Sequence, residues 1–357
     1  MHIFCPNPDI LSLPEYSHGD DAIHYDAIDF SANVNPLGPP AEIVEFIKTL
    51  DPVQLRHYPD TGCTRLKEQL SCTHSVPVEN IIVGNGSLEV LRLFCQCFLK
   101  KGDEVLIPVP TFSEYERMVK LHGGTCTFVE MKNLLIDPHE IIEKIGDLTK
   151  VIFLCNPNNP TGFYSEDIMS VVDEAEKRDA IVFLDEAFID FSCRKSLVQE
   201  STPNLFVLKS ATKLYAIPAL RCGYGFSSKD VIAYMEKVAT PWNVNYIAQE
   251  AVRRALCNES FIEDTRRFLE REKRYLFSEL SKIPYLDPYP SDTNFFLLKT
   301  KIQSHRLKKL LLERGVLIRD CSNFRGLDSS YVRLCVKPHE PNEMLVQELR
   351  RLHEEPK

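Results

Sequence analysis

Short apolar runs and amphipathic stretches alternate through the middle of the chain. The apolar runs, rich in β-branched and aromatic residues, fall at Ile81–Val83, Val105–Pro108, Cys126–Val129, Val151–Cys155, Ile181–Leu184, Leu205–Leu208 and Cys222–Phe226. Between them, Leu88–Leu99, Ser165–Lys177 and Asp230–Val238 carry apolar residues at helical spacing. Runs that are apolar throughout read as strands buried on both faces, and strand–helix alternation over this length predicts a mostly parallel sheet covered by helices on each side. After about Pro241 the pattern changes. A long polar helical stretch, 260–282, is followed by strands near Thr293–Leu298, Val316–Ile318 and Tyr331–Val336, with helices near 302–314 and 341–353. The predicted class is α/β: a three-layer αβα large domain plus a smaller α+β domain. The expected division is 1–45 as an N-terminal segment joining the small domain, 46–255 as the large domain and 256–357 as the small one. The stretch Asp29–Leu37 reads as too loop-like to belong to a core.

Composition narrows the function classes. A formal net charge of −9 argues against a nucleic-acid surface, which wants a basic stripe. The overall field also repels anionic substrates, so any such substrate must be held by local arginines. No stretch approaches the ~20 apolar residues of a membrane span, and Met1–Asp20 carries charges and prolines in place of an apolar signal core. A cytoplasmic address is expected by elimination. The 12 cysteines are irregularly spaced, with no C-x-x-C, and read as reduced thiols used as small hydrophobes. No metal site is expected.

The residues able to do chemistry sit where apolar runs end. Lys213 follows Leu205–Leu208 within Ser210-Ala211-Thr212-Lys213. Desolvation there would depress its pKa and leave a free amine able to attack a carbonyl, though such a lysine by itself is equally a surface loop residue. Arg221, eight positions on, opens another apolar run and offers a planar fork to an oxyanion, or else a salt bridge. Asp185 and Glu186 close Ile181–Leu184 at the carboxyl end of the sheet, where open α/β folds bind ligands. A buried Asp185 needs a cationic partner, and a protonated pyridine nitrogen is one. Magnesium is the rival, but the chain lacks the phosphate loop that such a site accompanies. Gly84-Asn85-Gly86-Ser87-Leu88 follows an apolar run and opens a helix whose free N–H groups suit a phosphate. Asn156-Pro157-Asn158-Asn159-Pro160-Thr161-Gly162 makes a rigid turn at another strand end.

Taken together and in this order, from Phe30-Ser31-Ala32-Asn33-Val34-Asn35-Pro36-Leu37-Gly38 to Tyr331-Val332-Arg333, these motifs resemble the aminotransferase-type (fold-type I) family of pyridoxal-phosphate enzymes. The resemblance implies pyridoxal 5′-phosphate as cofactor, bound covalently by Lys213, with Asp185 as partner of its pyridine nitrogen. It implies Asn159 donating to the cofactor's 3-hydroxyl oxygen, and Gly86, Ser87, Leu88, Ser210 and Arg221 around its phosphate. Phe112 would stack on the ring. Tyr58, in His57-Tyr58-Pro59-Asp60, would reach the cofactor phosphate of a neighbouring subunit, implying a homodimer with shared sites. Arg333 corresponds to the arginine that grips the substrate α-carboxylate.

Within the family the chain is most similar to the threonine-phosphate decarboxylases of cobalamin biosynthesis, with histidinol-phosphate aminotransferases next. Both act on small phosphorylated substrates, which fits a second arginine, Arg319. Ser17-His18-Gly19 resembles a decarboxylase segment that contacts substrate phosphate, and Pro241-Trp242-Asn243-Val244-Asn245 and Cys321-Ser322-Asn323-Phe324-Arg325-Gly326-Leu327-Asp328 read the same way. Phe188 stands where aminotransferases of the family place a tyrosine that hydrogen-bonds the cofactor. The expected substrate contacts are Ser17, His18, Gly19, Asn33, Asn159, Arg319 and Arg333. The expected reaction is decarboxylation of threonine or serine phosphate, with histidinol-phosphate-type transamination as the alternative.

Overall fold

In the computed structural model, which describes residues 21–200 and 202–354, the first strand is β1 (Ile28–Asp29), which pairs in parallel with Val316–Leu317. Seven further strands follow: β2 (Ile81–Gly84), β3 (Glu104–Val109), β4 (Thr125–Glu130), β5 (Thr149–Cys155), β6 (Ile181–Asp185), β7 (Leu205–Ser210) and β8 (Gly223–Phe226). They form one sheet in the order β2-β8-β7-β6-β5-β3-β4. β8 runs antiparallel to both neighbours and the remaining pairs are parallel. All seven apolar runs therefore lie in this sheet, and the predicted α/β class holds.

Alternation along each strand divides the core in two. Ile152, Leu154, Val182, Leu184 and Val207 face one helical layer. Val151, Phe153, Ile181, Phe183, Phe206 and Leu208 face the other, against the helices Ser87–Phe98 and Glu114–Leu121. On this second face Phe183 stacks on Phe206 with centroids 5.2 Å apart, and Phe94 meets both rings edge-on or tilted, at 4.8 and 5.3 Å. Gly225 makes room for the cluster: a Cβ there would overlap the edge of the Phe206 ring.

The C-terminal part has its own antiparallel sheet. Its strands are β9 (Leu286–Pro288), β10 (Phe295–Thr300), β12 (Arg319–Asp320) and β13 (Tyr331–Cys335), ordered β12-β13-β10-β9, while β11 (Val316–Leu317) is the partner of β1. The helix Glu259–Leu280 packs beside this unit, as do Ser304–Leu312 and His339–Glu354.

Two expectations need correcting. The stretch after Asp29 is core: Phe30, Ser31, Asn33 and Asn35 are all buried. Its backbone polar groups find distant partners, with Phe30 N–H bonded to the Leu317 carbonyl and Cys335 N–H to the Phe30 carbonyl, so irregular backbone can be buried without loss. The helix expected from Ser165 begins at Ile168 instead. Asn156 explains the delay, because its side chain accepts from Ser165 N–H at 2.8 Å and donates to the Ser165 carbonyl at 2.9 Å, fixing that residue in the turn.

Gly225→Ala should lower unfolding free energy by about 1–3 kcal/mol, the usual range for forcing a methyl into a packed core. Urea denaturation with an unchanged slope would measure it, and a stability equal to the parent would mean the aromatic cluster yields freely.

Candidate active site

The carboxyl ends of β5, β6 and β7 converge on a cavity of about 240 Å³ whose lining includes Asn33, Ser87, Leu88, Phe112, Asn159, Asp185, Phe188, Ser210, Lys213, Arg319 and Arg333. The cavity thus gathers most of the residues singled out in the sequence. Residues so distant in the chain meet because parallel strands all end on the same edge.

Asp185 is the last residue of β6 and is buried. One carboxylate oxygen accepts from the Tyr115 hydroxyl at 2.7 Å and the other from Ala187 N–H at 2.9 Å. Burial pushes its pKa above the usual carboxylate range, and the Tyr115 and Ala187 hydrogen bonds and the Lys213 charge oppose that rise. Lys213 lies one strand over, in the single helical turn Ala211–Leu214 that follows β7. Burial first, then the Arg333 and Arg221 charges, pull its ammonium from the ordinary 10.5 to about 8. The pocket therefore holds an amine that gives up its proton close to neutrality opposite a carboxylate that needs a cation.

Arg319 and Arg333 occupy directly opposed positions on the antiparallel strands β12 and β13. Each is 8% exposed. Arg333 Nη2 donates to the Ser31 carbonyl at 2.9 Å, Nη1 donates to Asn159 Oδ1, and Nε has no partner despite being buried. With Asn159 Oδ1 taken as acceptor, its NH2 is the end left to donate towards the cavity. Arg319 Nη2 donates to Asn323 Oδ1 at 3.0 Å, and its guanidinium lies 5.5 Å from the Phe324 ring centroid. Asn33 Oδ1 is a second buried atom without a partner. Unsatisfied buried polar groups are costly, and two of them beside one cavity mark a place built for a polar ligand.

At the other end, Gly86 caps the helix Ser87–Phe98 with φ +81°. The Arg221 guanidinium lies so close to Gly86 that a Cβ there would overlap it, and Gly223 similarly lets the Ser87 backbone rest on β8. A glycine-capped helix start, the Arg221 fork and the Ser210 hydroxyl form a cradle with the chemistry of an anion site.

Two groups of expected residues do not line the cavity, and a third falls outside the described residues. Tyr58 is exposed and stacks on Trp242 at 4.4 Å, away from the cavity of its own chain. Ser17, His18 and Gly19 fall outside the described residues. Gly86 and Arg221 are not among the cavity's lining residues, but their neighbours in the cradle, Ser87 and Ser210, are.

The sequence reading missed Tyr115. Its hydroxyl holds Asp185, its ring stacks on Phe153 at 5.0 Å, and Phe112 meets it edge-on at 5.6 Å. Its sequence position carries no mark of this role, since it falls in the first turn of the helix Glu114–Leu121. The Asn158 amide was also missed. It accepts from Thr111 Oγ1 at 2.8 Å and donates to the Pro110 carbonyl at 2.9 Å, tying the segment beside Phe112 to the turn that carries Asn159.

A family model described as aminotransferase class I and II matches residues 25–351. The chain belongs to that family. It is an enzyme of the pyridoxal-phosphate-dependent kind, and pyridoxal 5′-phosphate is its cofactor. A protein of Caldanaerobacter subterraneus provisionally named a threonine-phosphate decarboxylase is 39% identical over 358 aligned positions, covering 96% of this chain and 95% of that one. The solved histidinol-phosphate aminotransferase of Clostridium acetobutylicum is 30% identical, with a TM-score of 0.84, and the match covers 92% of this chain and 99% of that one. For the L-threonine-O-3-phosphate decarboxylase of Porphyromonas gingivalis the figures are 29%, 0.81, 92% and 100%.

The cavity fits this cofactor on its own evidence. Asp185 would face the pyridine nitrogen, Lys213 the aldehyde carbon, Asn159 the 3-oxygen and the Gly86 cradle the phosphate. Tyr115→Phe should therefore weaken cofactor binding about tenfold, the scale of one lost hydrogen bond to a buried charge. Titrating the apoprotein with pyridoxal phosphate and following absorbance would measure this, and an unchanged constant would remove Tyr115 from the account. Acylation of Lys213 in the apoprotein should rise through about pH 8; mass-spectrometric labelling that rises only near 10.5, the ordinary lysine value, would contradict the burial argument.

Proposed function

We propose that the enzyme is a carboxy-lyase that decarboxylates L-threonine O-3-phosphate, or L-serine O-phosphate, giving aminopropanol phosphate or ethanolamine phosphate for the cobamide nucleotide loop. The observation that carries this reading is the facing pair Arg319 and Arg333, both buried and opposed across two strands. Like charges in that relation repel, and burial removes the water that would screen them. A ligand with two anionic groups relieves both costs, and a phosphorylated amino acid is such a ligand. Arg333, with its unpartnered Nε, takes the α-carboxylate. Arg319 and Asn33 take the phosphate, together with His18 from outside the described residues.

Bound in this pocket, the cofactor supplies an electron sink for the pair released when a bond at the substrate Cα breaks. The protein decides which bond that is. Pinning both anions leaves the substrate one orientation about Cα, and two or three charge-assisted contacts of roughly 1.5–3 kcal/mol each suffice to hold it. Asp185 would offer its carboxylate to the ring nitrogen. Lys213 Nζ, able to hold or release a proton near neutral pH, delivers one to Cα after CO2 has left.

Phe188 supports decarboxylation over transamination. It lines the cavity with its ring edge-on to Phe295 at 5.1 Å, and it brings no hydroxyl to a position where aminotransferases of this family carry tyrosine. The second reading, transamination of histidinol phosphate or a related substrate, is favoured by the equally close likeness to a histidinol-phosphate aminotransferase structure. A homodimer with shared sites is part of this reading: Tyr58, exposed and absent from the lining of its own chain's cavity, would reach the cofactor phosphate of a neighbouring subunit.

Incubation with threonine phosphate, serine phosphate and histidinol phosphate, with and without a 2-oxo acid, separates the two readings. CO2 release without an acceptor is expected from one of the first two substrates; keto product that depends on the acceptor would establish the transaminase. Lys213→Ala should abolish turnover while circular dichroism stays that of the parent, and retained activity would end the assignment. Arg319→Ala should cut kcat/KM for the phosphorylated substrate roughly tenfold to a hundredfold and spare unphosphorylated analogues.

A further inference from the structure

The cavity opens into a groove of about 730 Å³, with Phe112, Ser113 and Phe324 lining both. One wall of this groove is the loop 321–328 between β12 and β13, and the facing wall is the helix Glu114–Leu121. Three contacts dock the loop on the large unit. Gly326, at φ +85°, lies against the Val109–Pro110 backbone, where an added Cβ would come within 3.4 Å of Pro110 N. Arg325 Nε and Nη2 donate to Glu116 Oε2 and Oε1 at 3.0 and 2.8 Å. The same guanidinium lies 4.1 Å from the Phe128 ring centroid.

The next two residues back along the loop are those that hold Arg319: Asn323 accepts its Nη2 hydrogen bond, and Phe324 lies beneath its guanidinium. We infer that the Glu116–Arg325 pair determines specificity by position: it anchors the loop whose Asn323 and Phe324 aim Arg319 at the substrate's phosphate. Neither member touches the substrate, so both are positioning residues. The inference rests on the reading of Arg319 as the phosphate ligand.

Magnitudes separate this role from a structural one. An exposed ion pair contributes about 0–1 kcal/mol to stability, and the Arg325 side chain is 49% exposed, so losing the pair should hardly affect folding. Displacing a binding group by about 1 Å can cost a hundredfold in a site that works by alignment. The pair is also bidentate and planar, the geometry that fixes direction as well as distance. Glu116 stays ionised for it: burial pushes its pKa up, but the hydrogen bonds from Arg325 and Lys120 bring it below the ordinary value.

The test compares Glu116→Gln, Arg325→Gln, the double variant and Arg325→Lys as holoenzymes. Dissociation constants for O-phospho-L-threonine and for L-threonine, read from the absorbance change of the bound cofactor, give a phosphate selectivity for each. Each single Gln variant should lower that selectivity about fivefold to tenfold. The double should be no worse than either single, because one pair is lost once, and Arg325→Lys should recover part of the loss. Equal weakening for both ligands, additive losses in the double, or unchanged selectivity would each overturn the inference. Arg319→Ala, measured alongside, keeps the two claims apart. If it collapses the selectivity while the Glu116 and Arg325 variants leave it intact, only the anchoring role fails; if it leaves the selectivity intact, the phosphate reading fails and the anchoring role with it.

Discussion

A carboxylate and an amine are taken out of water at the ends of two adjacent parallel strands, and much of the molecule exists to make that tolerable. Asp185 is held by a phenol hydroxyl and a backbone N–H; Lys213 is held in a single helical turn with two arginine charges in its field. Neither group would be stable there with its ordinary protonation behaviour. Burial lowers the base, which frees its amine, and raises the acid, a shift that the Tyr115 and Ala187 hydrogen bonds and the Lys213 charge oppose, favouring the anion that a protonated ring nitrogen would need.

The arginines extend the same logic into the smaller unit. A protein with a net charge of −9 gains nothing from its long-range field when the substrate is a phosphate ester, so attraction has to be local. It is built from two short strands that set Arg319 and Arg333 opposite one another. The cost of crowding two cations falls when a dianionic ligand arrives. Crossing contacts then tie this unit to the large one: Arg333 to Asn159, and Arg325 to Glu116.

The large sheet was legible because its strands are buried on both faces, and continuous apolar runs are hard to mistake. Lys213, Asp185 and Asn159 could be named because each sits in a motif at or just past a strand end, and Arg333 because of the motif Tyr331-Val332-Arg333. Other features left weaker traces. Strand β12 is two residues long, too short for any periodicity, so the opposition of Arg319 and Arg333 is visible only in three dimensions. The segment after Asp29 looks polar, yet Asn35 can be buried because its partners, the Leu214 carbonyl and the Thr265 hydroxyl, lie some two hundred positions away. Tyr115 reads as an ordinary apolar position in an amphipathic helix, and its tie to Asp185 depends on how that helix packs against β6.

The pairing of β1 with β11 brings residue 28 beside residue 316. Closure of so long a loop is slow relative to local contacts. On the ribosome the large sheet can condense while Ile28–Asp29 still lacks its neighbour, so Asn33 and the Ser31 carbonyl, which help to shape the substrate side of the pocket, reach their places only after residue 316 has emerged. The substrate side of the pocket is thus completed only when the segments around residues 28 and 316 have met.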